Sequence, residues 1–138
     1  MITELTNKLN VKAEDNVLVF GRLNEACGQF VNIDFDDKII DALVKNKAGF
    51  DKISLSYDEK NGVVEDVTSK LLCLCNKQAL VLINSVPIVD RIRSNGTIKL
   101  NKEQLVSYFK DKIDVRQYWF MNETEEAFEI LIEVIKNR

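Results

Sequence analysis

Residues 50–87 read FDKISLSYDEKNGVVEDVTSKLLCLCNKQALVLINSVP, and the reading of this stretch decides the fold. Phe50 to Tyr57 has strand character, carried by Phe50, Ile53, Leu55 and Tyr57. Asn61 to Cys75 predicts a helix, because Val64, Val67, Leu71 and Leu74 fall at i, i+3, i+7 and i+10 and make one core-facing stripe. Asn76, Lys77 and Gln78 read as the turn that follows. Ala79 to Val86 predicts a second strand, apolar on both faces as a strand covered on both sides should be. Pro87 ends it, since proline cannot donate to a ladder. Strand, helix and strand in so short a span form a crossover joining two parallel strands. Ile53 and Ile83 are therefore expected side by side in one layer, pointing the same way, with Val67 over them.

Upstream, Thr3 to Leu9 fits a short helix with Leu5 and Leu9 on one face. Asn16 to Gly21 is a short apolar strand that stops at a glycine, and Gln29 to Phe35 is another strand candidate. About seven residues separate the two, fewer than the dozen a parallel crossover normally needs. Either one turn replaces the crossover helix or the two strands form a hairpin. Asp36 to Asn46 predicts a helix with Asp36 as N-cap and a stripe of Ile39, Ile40, Leu43 and Val44. Lys45 and Lys47 suit its negative end, and Gly49 stops it.

Downstream, Ile88 to Gly96 reads as a basic, turn-rich excursion with Arg91 and Arg93. Asn101 then opens a helix, and Gln104 three residues later completes a capping-box pattern, with Leu105, Phe109 and Tyr108 facing inward. Val115 to Met121 is an aromatic-rich strand. Ala127 to Lys136 alternates, with Phe128, Ile130, Ile132 and Val134 on one face. A loop of about five residues between these strands makes them an antiparallel hairpin.

The chain of 138 residues, 46% hydrophobic and 30% charged, has the size and composition of one globular domain spanning 1–138. A net charge of −3 with interspersed signs speaks against nucleic acid, which is bound by neutralising phosphates. No run of 18 apolar residues exists to span a membrane, and MITELTNKLN lacks the layout of a signal peptide. The expected location is cytoplasmic. Three cysteines do not make a disulfide framework, and Cys73 and Cys75 read as small apolar filler. Histidine is absent, which removes the commonest general base, excludes a Ser/His/Asp or Cys/His nucleophile and leaves no expected metal.

The order and spacing of these elements resemble the class I S-adenosylmethionine-dependent methyltransferases. LNVKAEDNVLVFG (9–21) is similar to the family's lead-in and first strand, and FVNIDFDDKIIDA (30–42) to its second strand and following helix. FDKISLSYD (50–58) resembles the fourth strand, and KLLCLCNKQALVLINSVP (70–87) the helix, turn and fifth strand. LNKEQLVSYF (100–109) resembles the helix before the terminal hairpin, whose last strand is reversed in the family. The resemblance implies a three-layer, Rossmann-like α/β fold with a mostly parallel sheet. The family's glycine-rich turn reads FGRLNEACG (20–28) here, and only Gly21 matches. The helix after that turn and the family's third strand have no counterpart. AsnLysGln stands where the family has a Pro-Gly-Gly-like turn before the fifth strand.

On this resemblance the cofactor-side residues are Gly21, Asp34 with Asp36 as a spare for the ribose hydroxyls, and Ser56 and Tyr57 at the carboxyl end of the fourth strand. Asp58 is the one candidate base. Each has a plain structural alternative: a strand-ending turn for Gly21, helix capping for the aspartates, a polar loop start for residues 56–58. Arg91 and Arg93 are an exposed loop or an anion site. Tyr118, Trp119 and Phe120 alternate, so one face is core and the other is available to a partner. Three functions follow as expectations. The first is a degenerate methyltransferase-like domain without catalysis, acting through a protein partner or as a homodimer. The second is a minimal methyltransferase using S-adenosylmethionine on a small molecule or protein. The third is a binding protein for another nucleotide or small metabolite.

Overall fold

The computed structural model describes residues 8–21, 30–92, 96 and 98–136. The strands are β1 (Val17–Phe20), β2 (Phe30–Ile33), β3 (Phe50–Ser56), β4 (Cys75–Pro87), β5 (Val89–Ile92), β6 (Ile98–Leu100), β7 (Val115–Met121) and β8 (Ala127–Ile135). The helices are α1 (Asp37–Lys45), α2 (Val64–Cys73) and α3 (Asn101–Lys110). Six strands make one sheet in the order β2-β1-β3-β4-β8-β7, and β5 and β6 pair with each other apart from it. Strands β2, β1, β3 and β4 are parallel, and β8 lies antiparallel between β4 and β7. The question open at β1 and β2 is thereby settled: Val17 faces Phe30 and Phe20 faces Ile33 in parallel register. Most of the Thr3 to Leu9 helix lies outside the described residues; residues 8 and 9 are helical.

Register decides which side chains share a face. Ile53 stands opposite Leu18 on one side and Val81 on the other, while Leu55 stands opposite Phe20 and Ile83. Ile53 and Ile83 thus point the same way, offset by one pair. Val81 and Ile83 continue the row to Ile132 and Ile130 of β8. All of these are buried and join one cluster with Ile40 of α1, Val64, Val67 and Leu71 of α2, and Leu105 and Phe109 of α3. The three helices therefore cover the same face. Chain handedness explains this: the steps from β2 to β3 and from β3 to β4 move in one direction along the sheet, and right-handed crossovers taken in one direction place their helices on one side. The opposite face buries Val17, Val19 and Leu82. The N-terminal segment ties onto it through Lys8 with Glu129 at 3.1 Å and Lys52 with Asp15 at 3.6 Å.

Local sequence accounts for most element ends. The Asp36 carboxylate accepts from the Lys38 N–H at 2.7 Å and caps α1 as expected. Only the middle of the α1 stripe is covered, however: Ile40 is buried, while Ile39 and Val44 on its flanks stay 40% and 42% exposed. The helix lies toward the β2 end of the sheet, with no further described helix to meet those flanks. Helix α2 starts at Val64 rather than Asn61, because Asp58 caps a short 3-10 turn, Glu59–Asn61, before it.

Three expectations need correction. Asn76, Lys77 and Gln78 are strand, not turn: Gln78 pairs with Ile135, and the Lys136 N–H donates to the Lys77 carbonyl at 2.7 Å. A strand from the far end of the chain imposes that conformation, which local polarity does not announce. The capping box at Asn101 and Gln104 is not made. Leu100 is the N-cap position, without a side-chain bond, and the Asn101 Nδ2 donates instead to the Pro87 carbonyl at 2.7 Å. The stretch read as a turn-rich excursion contains β5, which pairs antiparallel with β6.

The terminal hairpin is as expected. Phe128, Ile130, Ile132 and Val134 are buried on the helix face. An aromatic row runs from Phe109 to Tyr118, Phe120 and Phe128, with successive ring centroids 4.7, 5.7 and 5.4 Å apart. Trp119 points to the opposite face and remains 42% exposed. Among the described residues no helix is long and apolar enough to cross a membrane.

Candidate functional site

The sheet changes direction of growth between β1 and β3: β2 extends from one side of β1, while β3 and β4 extend from the other. In open α/β sheets ligands bind at the carboxyl ends of the strands, at such a switch point. Gly21 sits there, immediately after β1, with φ +120°, a backbone conformation that favours glycine. Its N–H donates to the Ile33 carbonyl at 3.2 Å, which brings the end of β2 alongside. A Cβ at Gly21 would meet only the Cβ of Ser56, at 3.9 Å. Backbone here is open to close approach. Asp34, the next residue after that Ile33 carbonyl, is exposed. Gly21, Asp34 and Ser56 thus converge on one edge.

The other expected residues are used differently. Tyr57 is buried in the core cluster, its hydroxyl donates to the Gly62 carbonyl, and its N–H donates to the Asn84 carbonyl at 2.9 Å. The Asp58 carboxylate accepts from the Lys60 N–H at 2.9 Å, and Asn61 Oδ1 accepts in return from the Asp58 N–H at 2.8 Å. That is a complete capping box around the 3-10 turn. Asp36 is committed to capping α1. The residue between the aspartates, Phe35, packs edge-on to Phe20 at 5.4 Å, with Lys70 6.0 Å from its ring and paired with Asp37. Of Arg91 the strand position in β5 is described; Arg93 lies outside the described residues.

One feature of this edge was not anticipated. Ser85 has φ +59°, and the pairing of β4 with β8 slips between Ile83 and Val86. A bulge with a left-handed non-glycine residue is costly, on the order of 1–3 kcal/mol, and such positions concentrate at functional edges. Asn84, just before it, is the strand partner of Ser56. The signal was present in the sequence as a polar Asn-Ser pair interrupting an apolar strand.

Three solved structures share this architecture. A phosphoethanolamine N-methyltransferase from Haemonchus contortus, in complex with phosphomonomethylethanolamine and S-adenosylhomocysteine, aligns with 99% of the chain at TM-score 0.56 and 9% identity. An O-methyltransferase from Bacillus cereus in complex with S-adenosylhomocysteine covers 88% at TM-score 0.51 and 12% identity. A precorrin-6y C5,15-methyltransferase from Geobacter metallireducens covers 94% at TM-score 0.53 and 9% identity. The chain has a class I methyltransferase-like fold. It spans 37% of the first of these proteins, 74% of the second and 85% of the third. No protein-family model matches the sequence, and no curated protein does. The reduced form of the fold is explicit in the sheet, where among the described residues no strand lies outside β2.

Proposed function

We propose that this chain is a methyltransferase-like domain that does not catalyse methyl transfer and acts through protein contacts. The observation that carries this reading is the use made of the protic side chains beside Ser56. The Asp58 carboxylate is held in its capping box and the Tyr57 hydroxyl by the Gly62 carbonyl, so the expected base and its neighbour serve local structure. Apolar groups remain on the surface to meet a partner: Trp119 on β7, the outermost strand among the described residues, and Val31, Ile39 and Val44 about β2 and α1. A protein partner or a second copy of the chain would cover them. Calorimetry with S-adenosylmethionine and S-adenosylhomocysteine tests the reading. No heat is expected, and a saturable isotherm would overturn it.

A second reading rests on Gly21. The open backbone at φ +120°, with Ser56 beside it and Asp34 just beyond, fits the approach of S-adenosylmethionine. Gly21 would admit the cofactor against the backbone, Asp34 would accept from its ribose hydroxyls, and Ser56 would flank it. The bound cofactor would supply an electrophilic methyl group. On this reading Asp34→Ala abolishes the calorimetric signal. A different nucleotide or small metabolite at the same edge would instead stabilise the protein in a thermal-shift screen in which S-adenosylmethionine has no effect.

A further inference from the structure

Strand β7 ends the sheet on the β8 side, and among the described residues no strand pairs with its outer margin. The direction of its backbone groups follows from β8. In an antiparallel pair the N–H and C=O of one residue point to the same side, and successive residues alternate. The Ile135 N–H donates to the Asp114 carbonyl at 2.8 Å, toward β7, and the Lys136 N–H donates to the Lys77 carbonyl at 2.7 Å, toward β4. Glu133, Leu131 and Glu129 therefore also turn to β7, where they face Gln117, Trp119 and Met121. The N–H and C=O groups of Tyr118 and Phe120, between them, are directed away from the sheet.

Proteins blunt an open edge with proline, charge, a bulge or a very short strand. In β7 the register slips between Val115 and Gln117, beside Arg116. Beyond that slip, residues 117–121 read QYWFM, pair regularly with β8 and hold no proline, glycine or charge. Both faces are apolar: Tyr118 and Phe120 are half-buried on the helix face, and Trp119 is 42% exposed on the other. Ile113, two residues ahead of the strand, is 85% exposed. A margin of this kind adds a strand from another chain.

We propose that β7 pairs with β7 of a second copy of this chain, antiparallel across a twofold axis at Trp119. The pairing rests on the protein-contact reading above and names its partner and its surface. With Trp119 opposite its own copy, Tyr118 of each chain meets Phe120 of the other. Each such pair exchanges two backbone hydrogen bonds, four in all, and every outward group of these residues is used. The Tyr118 and Phe120 rings extend across the axis the aromatic row that runs to Phe109 and Phe128, and the two Trp119 rings meet on the opposite face. Charge favours the same arrangement. Between residues 115 and 123 the charged residues are Arg116 and Glu123, at opposite ends of the strand. Their side chains are 61% and 50% exposed, each with a partner in its own chain: Glu133 at 3.6 Å and Lys102 at 2.8 Å. Antiparallel pairing brings Arg116 to the end where the second copy's Glu123 stands, twice over, whereas parallel pairing sets Arg116 against Arg116. A twofold contact also closes on itself and recruits no third chain at that margin.

The test is sedimentation equilibrium of the full chain, with amide hydrogen exchange read by nitrogen-15 NMR in dilute and concentrated samples. A dimer is expected. As it forms, the Tyr118 and Phe120 amides should gain roughly tenfold protection or more, while those of Gln117, Trp119 and Met121, bonded to β8 in both states, change far less. Trp119→Lys sets two like charges at the axis and is expected to weaken association by more than roughly tenfold. Arg116→Glu is expected to weaken it by up to about tenfold, and Arg116→Glu with Glu123→Arg to restore it. A monomer at every concentration would overturn the proposal. So would a dimer in which Tyr118 and Phe120 exchange as fast as in the monomer, because another surface would then hold it, or a double charge variant no tighter than the single one. Should Trp119→Lys fail to fold, the charge variants and the wild-type exchange decide the matter. Calorimetry with S-adenosylmethionine reports separately on the protein-contact reading: a monomer that gives no heat loses the twofold pairing and keeps that reading, and a dimer that gives heat does the reverse.

Discussion

Lys136 Nζ donates to the carbonyl oxygens of Leu72 and Cys75, 3.0 Å from each. Both carbonyls lie where α2 ends and β4 begins, at the negative end of the helix, so a cation just past the last strand completes the central crossover. Lys136→Met keeps most of the aliphatic stem and removes both donors. It is expected to cost about 1.5–3 kcal/mol, the scale of hydrogen bonds to a charged group, read as a lower urea midpoint at unchanged slope. An unshifted midpoint would show that solvent satisfies those carbonyls equally well.

Asp58 caps the 3-10 turn, and its variants measure what that cap contributes. Asp58→Ala is expected to lose about 1 kcal/mol of stability with the cap, whereas Asp58→Asn, which retains an accepting oxygen, is expected to lose only a few tenths. Denaturant unfolding of the pair checks this. Equal losses would show that charge, and not the cap, is what Asp58 contributes.

Gly21→Ala is expected to cost on the order of 1–3 kcal/mol. Crowding is not the cause, because the nearest atom to the new methyl group would be Ser56 Cβ at 3.9 Å. The cause is the backbone at φ +120°. Replacement by Ala at both Gly21 and Ser56 therefore should recover nothing of the loss, as a double-mutant unfolding comparison would reveal.

Burial pushes the Cys75 thiol up to about 12 from its ordinary 9.0, against a smaller lowering by Lys136 and with a slight further rise from Cys73. The folded state holds this proton more tightly than the unfolded chain. The neutral thiol's contribution to stability is thus complete below pH 9 and is lost as pH rises toward 12, by up to about 1.4 kcal/mol per pH unit. Cys75→Val is expected to show a flatter decline over that window in unfolding experiments. Iodoacetamide mapping should find the exposed Cys73 modified in the native protein and Cys75 modified only after unfolding.

Trp119 is the single tryptophan, and it lies on β7, the outermost strand of the sheet among the described residues. If a second copy covers that edge, its emission shifts to the blue as concentration rises and sedimentation reports a dimer. A monomer with unshifted emission at all concentrations would remove the homodimer from the partners considered.

The β3-α2-β4 unit, the α1 cap at Asp36 and the alternation of β8 were legible because each is written locally: by period, by an N-cap residue, by in-out patterning. What was not legible is non-local. Residues 76–78 are polar and look like a turn, yet Gln78 is held in the sheet by Ile135. The parallel pairing of β1 with β2 contradicts the shortness of the link between them and is visible only in the register of Val17 with Phe30. At the candidate edge, Gly21 and Ser56 were read from their strand ends and do lie together. Tyr57 was read one residue along the same end, but strand alternation turns it into the core. At Ser85 the polar Asn84-Ser85 pair marks an interruption of the strand, but the left-handed conformation itself follows from the slip against β8.

The placement of β8 between β4 and β7 sets an order of events. Strand β7 precedes β8 in the chain but is separated from the parallel half of the sheet by it, so β7 can join only after, or together with, β8. Until then the far side of β4 shows an open ladder beside Val81, Leu82 and Ile83. Pairing of the terminal hairpin with β4 is thus what covers that ladder, and a chain lacking β8 would present it as an open, adhesive margin.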